Sequence, residues 1–271
     1  MNIKMKKYFA AARMGLQHSL EYRFDFFIGI ISSIFPVIIQ VFLWYALYGG
    51  TNTGTSMYGY DFAQMMAYVA IAGTVSRFVG TGIENTVNSD IHSGGLSTFL
   101  VRPVKYVRFR VFQTIGEKLV STIIFVIFTA AVLTILNLVL GFEIVLINIL
   151  FFLVALILAT VLNFYLFFII SLAAFWLTEV GSLFGVLSVT LMVLSGGVFP
   201  ISIFGEWYIK ISQFLPFSYT IYFPISVMTG AFDAAKIMTG IVIQLIWIFG
   251  LWLISKFVWK IGLTKYVAVG G

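Results

Sequence analysis

The residues with the most potential for chemistry are concentrated in residues 89–110, SDIHSGGLSTFLVRPVKYVRFR. This segment contains an acid, Asp90, and a histidine, His92, and then the glycine pair Gly94 and Gly95. Four cations follow within nine positions: Arg102, Lys105, Arg108 and Arg110. A cation at the level of the headgroups gains about 1 kcal/mol from anionic lipid. We therefore expect these four residues to be lipid headgroup anchors.

Most catalytic and metal sites need residue sets that this sequence lacks. It has no cysteine and only two histidines, His18 and His92, neither spaced with a carboxylate to share a metal ion. It has no G-x-x-x-x-G-K-[ST] motif, since the nearest stretch, GGTNTGTS at 49–56, contains no lysine. We predict no catalytic residue, no metal site and no cofactor in this chain.

The composition indicates a membrane protein. Apolar residues make up 61% of the chain and charged residues only 10%, whereas a soluble domain carries about 25% charged residues. The net charge of +6 does not require nucleic acid, because membrane proteins collect Lys and Arg on their cytoplasmic side. We expect a multi-pass protein with no nucleic-acid partner, in a cell membrane and of bacterial origin.

Six segments reach the roughly 20 mainly apolar residues that a transmembrane helix needs. They are Phe26–Tyr48, Phe62–Gly82, Leu119–Leu140, Ile144–Leu177, Gly181–Phe199 and Ile237–Val258. The fourth is too long for a perpendicular span, so it must tilt or continue past the bilayer. The pattern predicts an all-α membrane protein with six transmembrane helices.

The distribution of cations orients these spans. Of the 16 Lys and Arg residues, 13 lie before span one, between spans two and three, or near the C-terminus. Two lie on the alternate connections, and Arg77 lies inside span two. Because positive residues mark the cytoplasmic side, both termini and the loop 84–118 are predicted to be cytoplasmic.

The first 23 residues are too polar to span a membrane. Met5, Tyr8, Phe9, Ala12, Leu16 and Leu20 nevertheless recur at three- and four-residue spacing. This pattern predicts an amphipathic helix at the cytoplasmic interface over residues 1–23, followed by the six-span domain over residues 24–271. The alternative is a frayed basic tail.

Within the loop 84–118, three apolar residues fall on one face of a short helix. These are Leu96, Phe99 and Leu100, and Pro103 ends the helix. Such a short helix is marginal alone in water, so its apolar face needs a partner. The residues leave two partners open, the membrane-facing surface of the chain itself and a second protein docked from the cytoplasm.

On the outer side, residues 200–235 cannot form a single helix. Pro200, Pro216 and Pro224 interrupt the segment, and Gly205 and Gly230 permit turns. The many aromatic residues suit the membrane–water boundary. We expect short re-entrant helices in the outer leaflet, and the alternative is a long outer loop.

Two motifs resemble those of ABC-2-type exporter permeases. IHSGGLSTFLVRPV resembles the element after their second span, where an acid precedes G-T/x-L-x-x-L-L-x-x-P-V. Gly95, Leu96, Leu100, Pro103 and Val104 match, and Asp90 or Glu84 stands for the acid. The resemblance implies that this element is the coupling helix, which fits a cleft in a nucleotide-binding subunit. The implied ATPase-coupling interface is Asp90, His92, Gly94, Gly95, Leu96, Phe99, Leu100 and Pro103.

The second motif is LSGGVFPISIFGEWYIKISQFLPFSYTIYFPISVMTG, residues 194–230. It resembles the return after span five in the same family, with L-S-G-x-x-F-P, a Trp, L-P-F, then a Pro and a Gly. The sequence departs from the pattern at Gly205 and Glu206, where many members have Pro directly before the Trp. The expected outer gate consists of Phe199, Pro200, Trp207, Leu215, Pro216 and Phe217.

The resemblance, which extends to the group often labelled DUF990, implies a complete transport complex. Two permease halves, identical or related, would pair, with one cytoplasmic ATPase beneath each half binding ATP and Mg²⁺. The cargo would be amphipathic, lipid-like or drug-like. Gly181 and Gly185 form a G-x-x-x-G face for helix packing, either within one bundle or at the dimer interface.

Two other functions are compatible with a polytopic chain. One is an integral membrane enzyme acting on lipids, and the other is a membrane sensor without transport. A lipid enzyme would need clustered acids or histidines at the interface, such as D-x-x-x-D, and the sequence has no such motif. Copurification of an ATPase would distinguish a permease from both.

Overall fold

The computed structural model describes residues 3–21, 23–49, 56–101, 103–140 and 145–266. Its α-helices in chain order are α1 (Ile3–Glu21), α2 (Arg23–Leu47), α3 (Phe62–Val79), α4 (Ile83–His92), α5 (Gly95–Leu100), α6 (Tyr106–Leu140), α7 (Leu146–Ser171), α8 (Gly181–Leu194), α9 (Glu206–Ser212), α10 (Tyr222–Met228) and α11 (Ala234–Lys265). Short 3-10 turns occupy Leu172–Phe175, Ile201–Phe204 and Phe217–Tyr219. No strand forms within these ranges, which confirms the all-α prediction for them.

The long helices are those of a membrane-embedded protein. Three helical runs are long and apolar enough to cross a bilayer: Phe62–His92, Leu146–Phe175 and Ala234–Lys265. Shorter apolar helices lie at Phe35–Leu47, Val126–Ile135 and Gly181–Leu194. Each of the six overlaps one predicted span. The number of spans and the cytoplasmic termini stay predictions.

The main core lies where α3, α7, α10 and α11 meet. Tyr68, Leu156 and Ile225 are fully buried there. The buried Gln244 of α11 donates from Nε2 to the carbonyl oxygens of Ala155 at 3.0 Å and Tyr219 at 2.9 Å. Polar side chains that bond across helices hold a bundle together where water is excluded. This core positions the shorter helices at both ends.

The N-terminal helix α1 packs against the start of α6. Tyr8 stacks on Phe112 with ring centroids 5.4 Å apart, and Ser19 donates to the carbonyl oxygen of Glu117 at 3.0 Å. Between these contacts the helix backbones approach so closely that a Cβ on Gly116 would overlap the backbone of α1. The predicted helix is therefore present.

The face that α1 buries differs from the predicted one. Tyr8, Ala11 and Gly15 point into the α6 contact, whereas Phe9 and Leu20 of the predicted apolar face remain exposed. The difference arises because small residues, which allow backbones to approach, decide this contact more than hydrophobicity does. Its position at the cytoplasmic interface stays a prediction.

Candidate functional site

The element between α3 and α6 folds as an elbow, formed by α4 and α5. Gly94 makes the turn between these helices with φ of 76°, a left-handed conformation that glycine adopts at no steric cost. Pro103 lies beyond the end of α5, as the sequence predicts. Arg102 lies outside the described residues. The elbow therefore brings α4, α5 and the first turns of α6 together.

A buried ion pair ties the elbow to α6. Arg110 donates to the Asp90 carboxylate, and only 8% of Arg110 is exposed. The Tyr106 hydroxyl donates to the same carboxylate oxygen. Burial, the largest influence, raises the pKa of Tyr106, so the hydroxyl remains a protonated donor.

The guanidinium of Arg110 is also enclosed by aromatic rings. Its Cζ lies 5.2 Å from the ring centroid of Phe99 and 5.8 Å from that of Phe109, within the range of cation–π attraction. Arg110 thus faces the interior of the chain and pairs with Asp90, so the contact with lipid headgroups expected for it has no support in its surroundings. Lys105 and Arg108 are exposed, and their headgroup contacts stay predictions.

The predicted apolar face of α5 divides between two directions. Leu96 is fully buried in the chain, in one cluster with Val87 and Phe168. Phe99 packs its ring 5.1 Å from that of Tyr106. Leu100 is instead 50% exposed. Because Leu96 is covered by the chain itself, a docked protein would contact Leu100 and its neighbour, not Leu96.

His92 joins the elbow to the segment after α7. Its Nε2 lies 3.0 Å from the carbonyl oxygen of Leu177, and its Nδ1 lies 3.1 Å from that of Asn88. In the same region, the Tyr106 ring stacks on that of Trp259 of α11, with centroids 5.0 Å apart and an interplanar angle of 10°. The elbow is therefore connected to α6, α7 and α11, and its displacement would reach all three.

A lysine on α6 holds the C-terminal end of α3. The amine of Lys118 donates to the carbonyl oxygens of Phe78 and Gly80, groups that the helix end leaves without internal partners. Burial, together with the nearby Arg77 cation, lowers the pKa of Lys118 to about 8. This contact fixes the point where α3 gives way to α4.

The expected outer gate forms short helices, but its residues do not form one cluster. Segment 200–228 contains α9, α10 and two 3-10 turns. Tyr208 donates to the carbonyl oxygen of Leu194 at 2.6 Å, and Tyr68 donates to that of Gly196 at 2.6 Å. The segment is thereby attached to α8 and α3.

The six gate residues differ in exposure. Trp207 is 65% exposed, Pro200 and Pro216 are buried, and Phe199, Leu215 and Phe217 are half-buried. A gate needs side chains that close on one another, and the exposed Trp207 has a ring contact with its chain neighbour Tyr208, at 5.8 Å between centroids. Phe217 is the gate residue that lines a cavity. The gating role stays a prediction.

That cavity was not found from the sequence. It has a volume of ≈ 210 Å³ and lies among the C-terminal end of α3, the start of α4, the middle of α7 and α8, and residues 217–221. Its polar lining includes Glu84 and Asn163. These residues come from segments far apart in the chain, so no motif connects them. Asn163, a polar residue within an apolar run, was the available signal.

The glycines of α8 face away from the rest of the chain. A Cβ added to Gly181 or Gly185 would meet no atom within 4 Å, and the neighbouring Val186 and Val189 are 66% and 61% exposed. Packing of this G-x-x-x-G face within the described part of the bundle is therefore absent. The face is free to contact another chain.

Comparison with known proteins places the chain in a family. Residues 34–270 match the family described as ABC-2 family transporter protein. The match begins within α2 and includes the elbow, the cavity and the outer segment. No curated protein matches the chain.

Proposed function

The chain belongs to the ABC-2 family of transporter proteins, whose members are membrane subunits of ABC transporters, and we propose that it is the permease half of an ATP-driven exporter. The family match confirms the resemblance inferred from the two motifs. In this proposal, the cargo is amphipathic, lipid-like or drug-like. A separate ATPase binds ATP and Mg²⁺ and pushes on the elbow from the cytoplasm.

One observation carries the coupling step. Leu100 and Val101 are 50% and 85% exposed at the tip of an elbow whose other side is fixed in the chain. Exposed apolar side chains on the predicted cytoplasmic side favour a protein partner. The inner side is held by the ion pair of Asp90 with Arg110, so a push at the tip moves α6 rather than bending the elbow.

Two such chains, or this chain and a related one, would form the complete path. The free face of α8 around Gly181 and Gly185 supports pairing of the halves, because small residues let two helices approach closely. Each half would stand over one ATPase. In this proposal, six spans and cytoplasmic termini would put both elbows beneath the same path, in a cell membrane that we propose to be bacterial.

Copurification tests the proposal directly. The tagged chain, purified from the membranes of its source cells, should retain an ABC ATPase through purification. Leu100→Asp should reduce recovery at least about tenfold, because the new charge must lose water without gaining a partner. Phe214→Asp is the matched control, since Phe214 is 77% exposed and lies in the segment predicted to be outside. Undiminished recovery with Leu100→Asp would remove the elbow from the contact.

Leu96→Asp is unsuitable for this test. Leu96 is fully buried, so a charge there would destabilise the chain whether or not a partner exists. Val101→Asp provides a second exposed variant on the same tip. Insertion of both variants is checked by comparing the amount of monodisperse protein with wild type, so that lost recovery reports on the contact alone.

A further inference from the structure

The cavity beside the start of α4 is large enough to hold part of a ligand. Its volume is ≈ 210 Å³, whereas an ordered water needs about 10–15 Å³ of such space. The hydroxyl oxygens of Ser76 and Thr81, both lining residues, are buried and have no hydrogen-bond partner among the described residues. Buried polar atoms in folded proteins are nearly always bonded, so these two indicate a missing partner.

Two hydroxyl groups of the cavity lining already donate their protons to the backbone, so they can only accept hydrogen bonds from a ligand. Thr220 donates to the carbonyl oxygen of Phe217 at 2.6 Å, and Ser195 donates to that of Met192 at 3.0 Å. With their protons committed to the backbone, both hydroxyls have only lone pairs left for a ligand. Glu84, when ionised, also accepts only. The set therefore suits a ligand that donates hydrogen bonds.

The cavity lining carries negative charge and no positive charge. The lining residues include one acid, Glu84, and no Lys, Arg or His. Within the described ranges Glu84 forms no ion pair, so it has no basic partner there. Lys118, a cation on the neighbouring α6, directs its amine to the carbonyl oxygens of α3 and is not a lining residue. The carboxylate is therefore free to pair with a cationic ligand.

The remaining lining is apolar. It includes Leu166 and Phe167 of α7, Leu191 of α8, and Phe217. Ligand sites typically combine such an apolar wall with a few placed polar groups. A ligand with a cationic donor at one end and an apolar body at the other matches both parts of this lining.

We propose that this cavity binds the protonated amine of a cationic amphipathic cargo, with Glu84 as its counter-charge. The proposal rests on the proposed export function and specifies its cargo class. Glu84 accepts one of the three N–H groups, two of the four hydroxyl oxygens of Ser76, Thr81, Ser195 and Thr220 accept the other two, and the apolar wall holds the adjoining carbon chain.

A structural role for Glu84 is the competing explanation. Glu84 lies in the first turn of α4, where a negative charge stabilises the positive end of the helix by about 0.3–1 kcal/mol. That role predicts a small loss of stability when the charge is removed and no effect on the choice of ligand. The two explanations therefore differ in ligand discrimination.

The test uses a fluorescent amine and its neutral twin. The full chain is placed in phosphatidylcholine nanodiscs and titrated with monodansylcadaverine or with its N-acetyl derivative, and the signal of empty discs is subtracted. We expect the amine to bind saturably and about tenfold tighter than the acetylated probe. Glu84→Gln should bring the two affinities within about twofold, while Glu84→Asp should retain the preference.

Glu206→Gln is the matched control, because Glu206 is exposed on α9 and away from the cavity lining. It should behave as wild type. Equal affinity of wild type for both probes, a preference that survives Glu84→Gln, or no saturable binding of either probe would each overturn the proposal. Thermal unfolding of each variant, measured in the same discs, shows that lost binding is not lost folding.

The result is independent of the ATPase. Binding is measured on the permease alone, so amine binding without ATPase copurification would overturn the export proposal and leave the ligand class in place. ATPase copurification without amine binding would overturn the proposed ligand class and leave the export proposal in place. The two proposals therefore fail separately.

Discussion

The two ends of α4 place an acid in opposite surroundings. At its C-terminal end, Asp90 pairs with Arg110 and accepts a hydrogen bond from Tyr106. At its N-terminal end, Glu84 faces the cavity, and the described part of the chain supplies it with no cation. Both acids follow the second predicted span, and each is a candidate for the single acid of the same family motif.

The difference separates a structural acid from an available one. Removing a charge from water is costly, and a partner in the chain compensates that cost permanently. Asp90 has such a partner, so it serves to hold the elbow. Glu84 depends on its own solvation or on a ligand, so it is the acid that can respond to cargo.

Arg110→Ala should have the largest effect, because it leaves the Asp90 carboxylate without its cation. Losing one partner of a buried pair typically costs 3–5 kcal/mol; with side-chain exposures of 10% and 14%, we expect about 3 kcal/mol here. Thermal and denaturant unfolding of the purified chain measures the loss. Arg108→Ala, at an exposed position, should change stability by less than about 0.5 kcal/mol.

Two further variants sharpen the contrast between the ends of α4. The double variant Asp90→Asn with Arg110→Met should be more stable than Arg110→Ala, because no charge is left unpaired. Glu84→Gln should cost no more than about 1 kcal/mol, because a charge at a helix N-terminus contributes about 0.3–1 kcal/mol. If Arg110→Ala were as mild as Arg108→Ala, the paired and unpaired ends would not differ, and the comparison would fail.

Gly116→Ala should cause the next largest loss of stability. The loss should arise at the C-terminal end of α4, where Asp90 pairs with Arg110, and not at the cavity. The side-chain oxygen of Gln113 accepts a hydrogen bond from Arg110 at 2.6 Å. The backbone carbonyl of the same residue lies against Gly15 of α1. A Cβ on Gly116 would overlap backbone atoms of Ala12, which have no rotamer with which to move aside. Such overpacking costs about 1–3 kcal/mol.

The matched control for this variant is Gly250→Ala in α11, where an added Cβ meets no atom within 4 Å. It reports the gain in helix propensity that alanine brings at either position. Unfolding is followed for both variants, and the amine probe is titrated as well. Destabilisation with unchanged amine binding is the expected result for Gly116→Ala. Equal behaviour of the two glycine variants would mean that α1 does not support the paired end.

The sequence predicted the elements better than their partners. Hydropathy located the apolar helices, and Pro103 marked the end of α5. Hydropathy does not tell which group covers an apolar face, so Leu96 and Leu100 looked equivalent, although one is buried and the other is half exposed. The four cations from Arg102 to Arg110 were likewise indistinguishable in the sequence. In the structure, α6 begins at Tyr106 and directs Arg110 toward Asp90.

The cavity was the least predictable part. Its lining combines Ser76, Glu84, Asn163, Ser188 and Thr220, which share no local pattern. Only the packing of α3, α4, α7, α8 and residues 217–221 brings them together. A polar residue inside an apolar span is a functional signal, and Asn163 carries it, but its bond to the carbonyl oxygen of Val79 at 3.0 Å also serves packing.

Tyr106→Phe should have a smaller effect than Arg110→Ala or Gly116→Ala, because it removes one hydrogen bond from Asp90 and keeps both the ion pair and the ring that stacks on Trp259. We expect a loss of about 1 kcal/mol at neutral pH. Tyr266→Phe is the matched control, since the Tyr266 hydroxyl is buried and has no hydrogen-bond partner in the described residues. It should be neutral or slightly stabilising.

The pH dependence of unfolding, compared between wild type and Tyr106→Phe, adds a second readout. Burial raises the pKa of Tyr106 above its ordinary value of 10.0, so the folded chain keeps a proton that the unfolded chain loses. The stability that this proton contributes is fully present below pH 10 and declines as the pH rises through the folded-state value. Tyr106→Phe should therefore lose less stability than wild type between about pH 10 and 11, the highest pH that the measurement reaches. If the two unfolding profiles ran parallel over that interval, the Tyr106 hydroxyl would be no more buried than an exposed tyrosine. Arg110 would then be the sole partner that distinguishes Asp90 from Glu84.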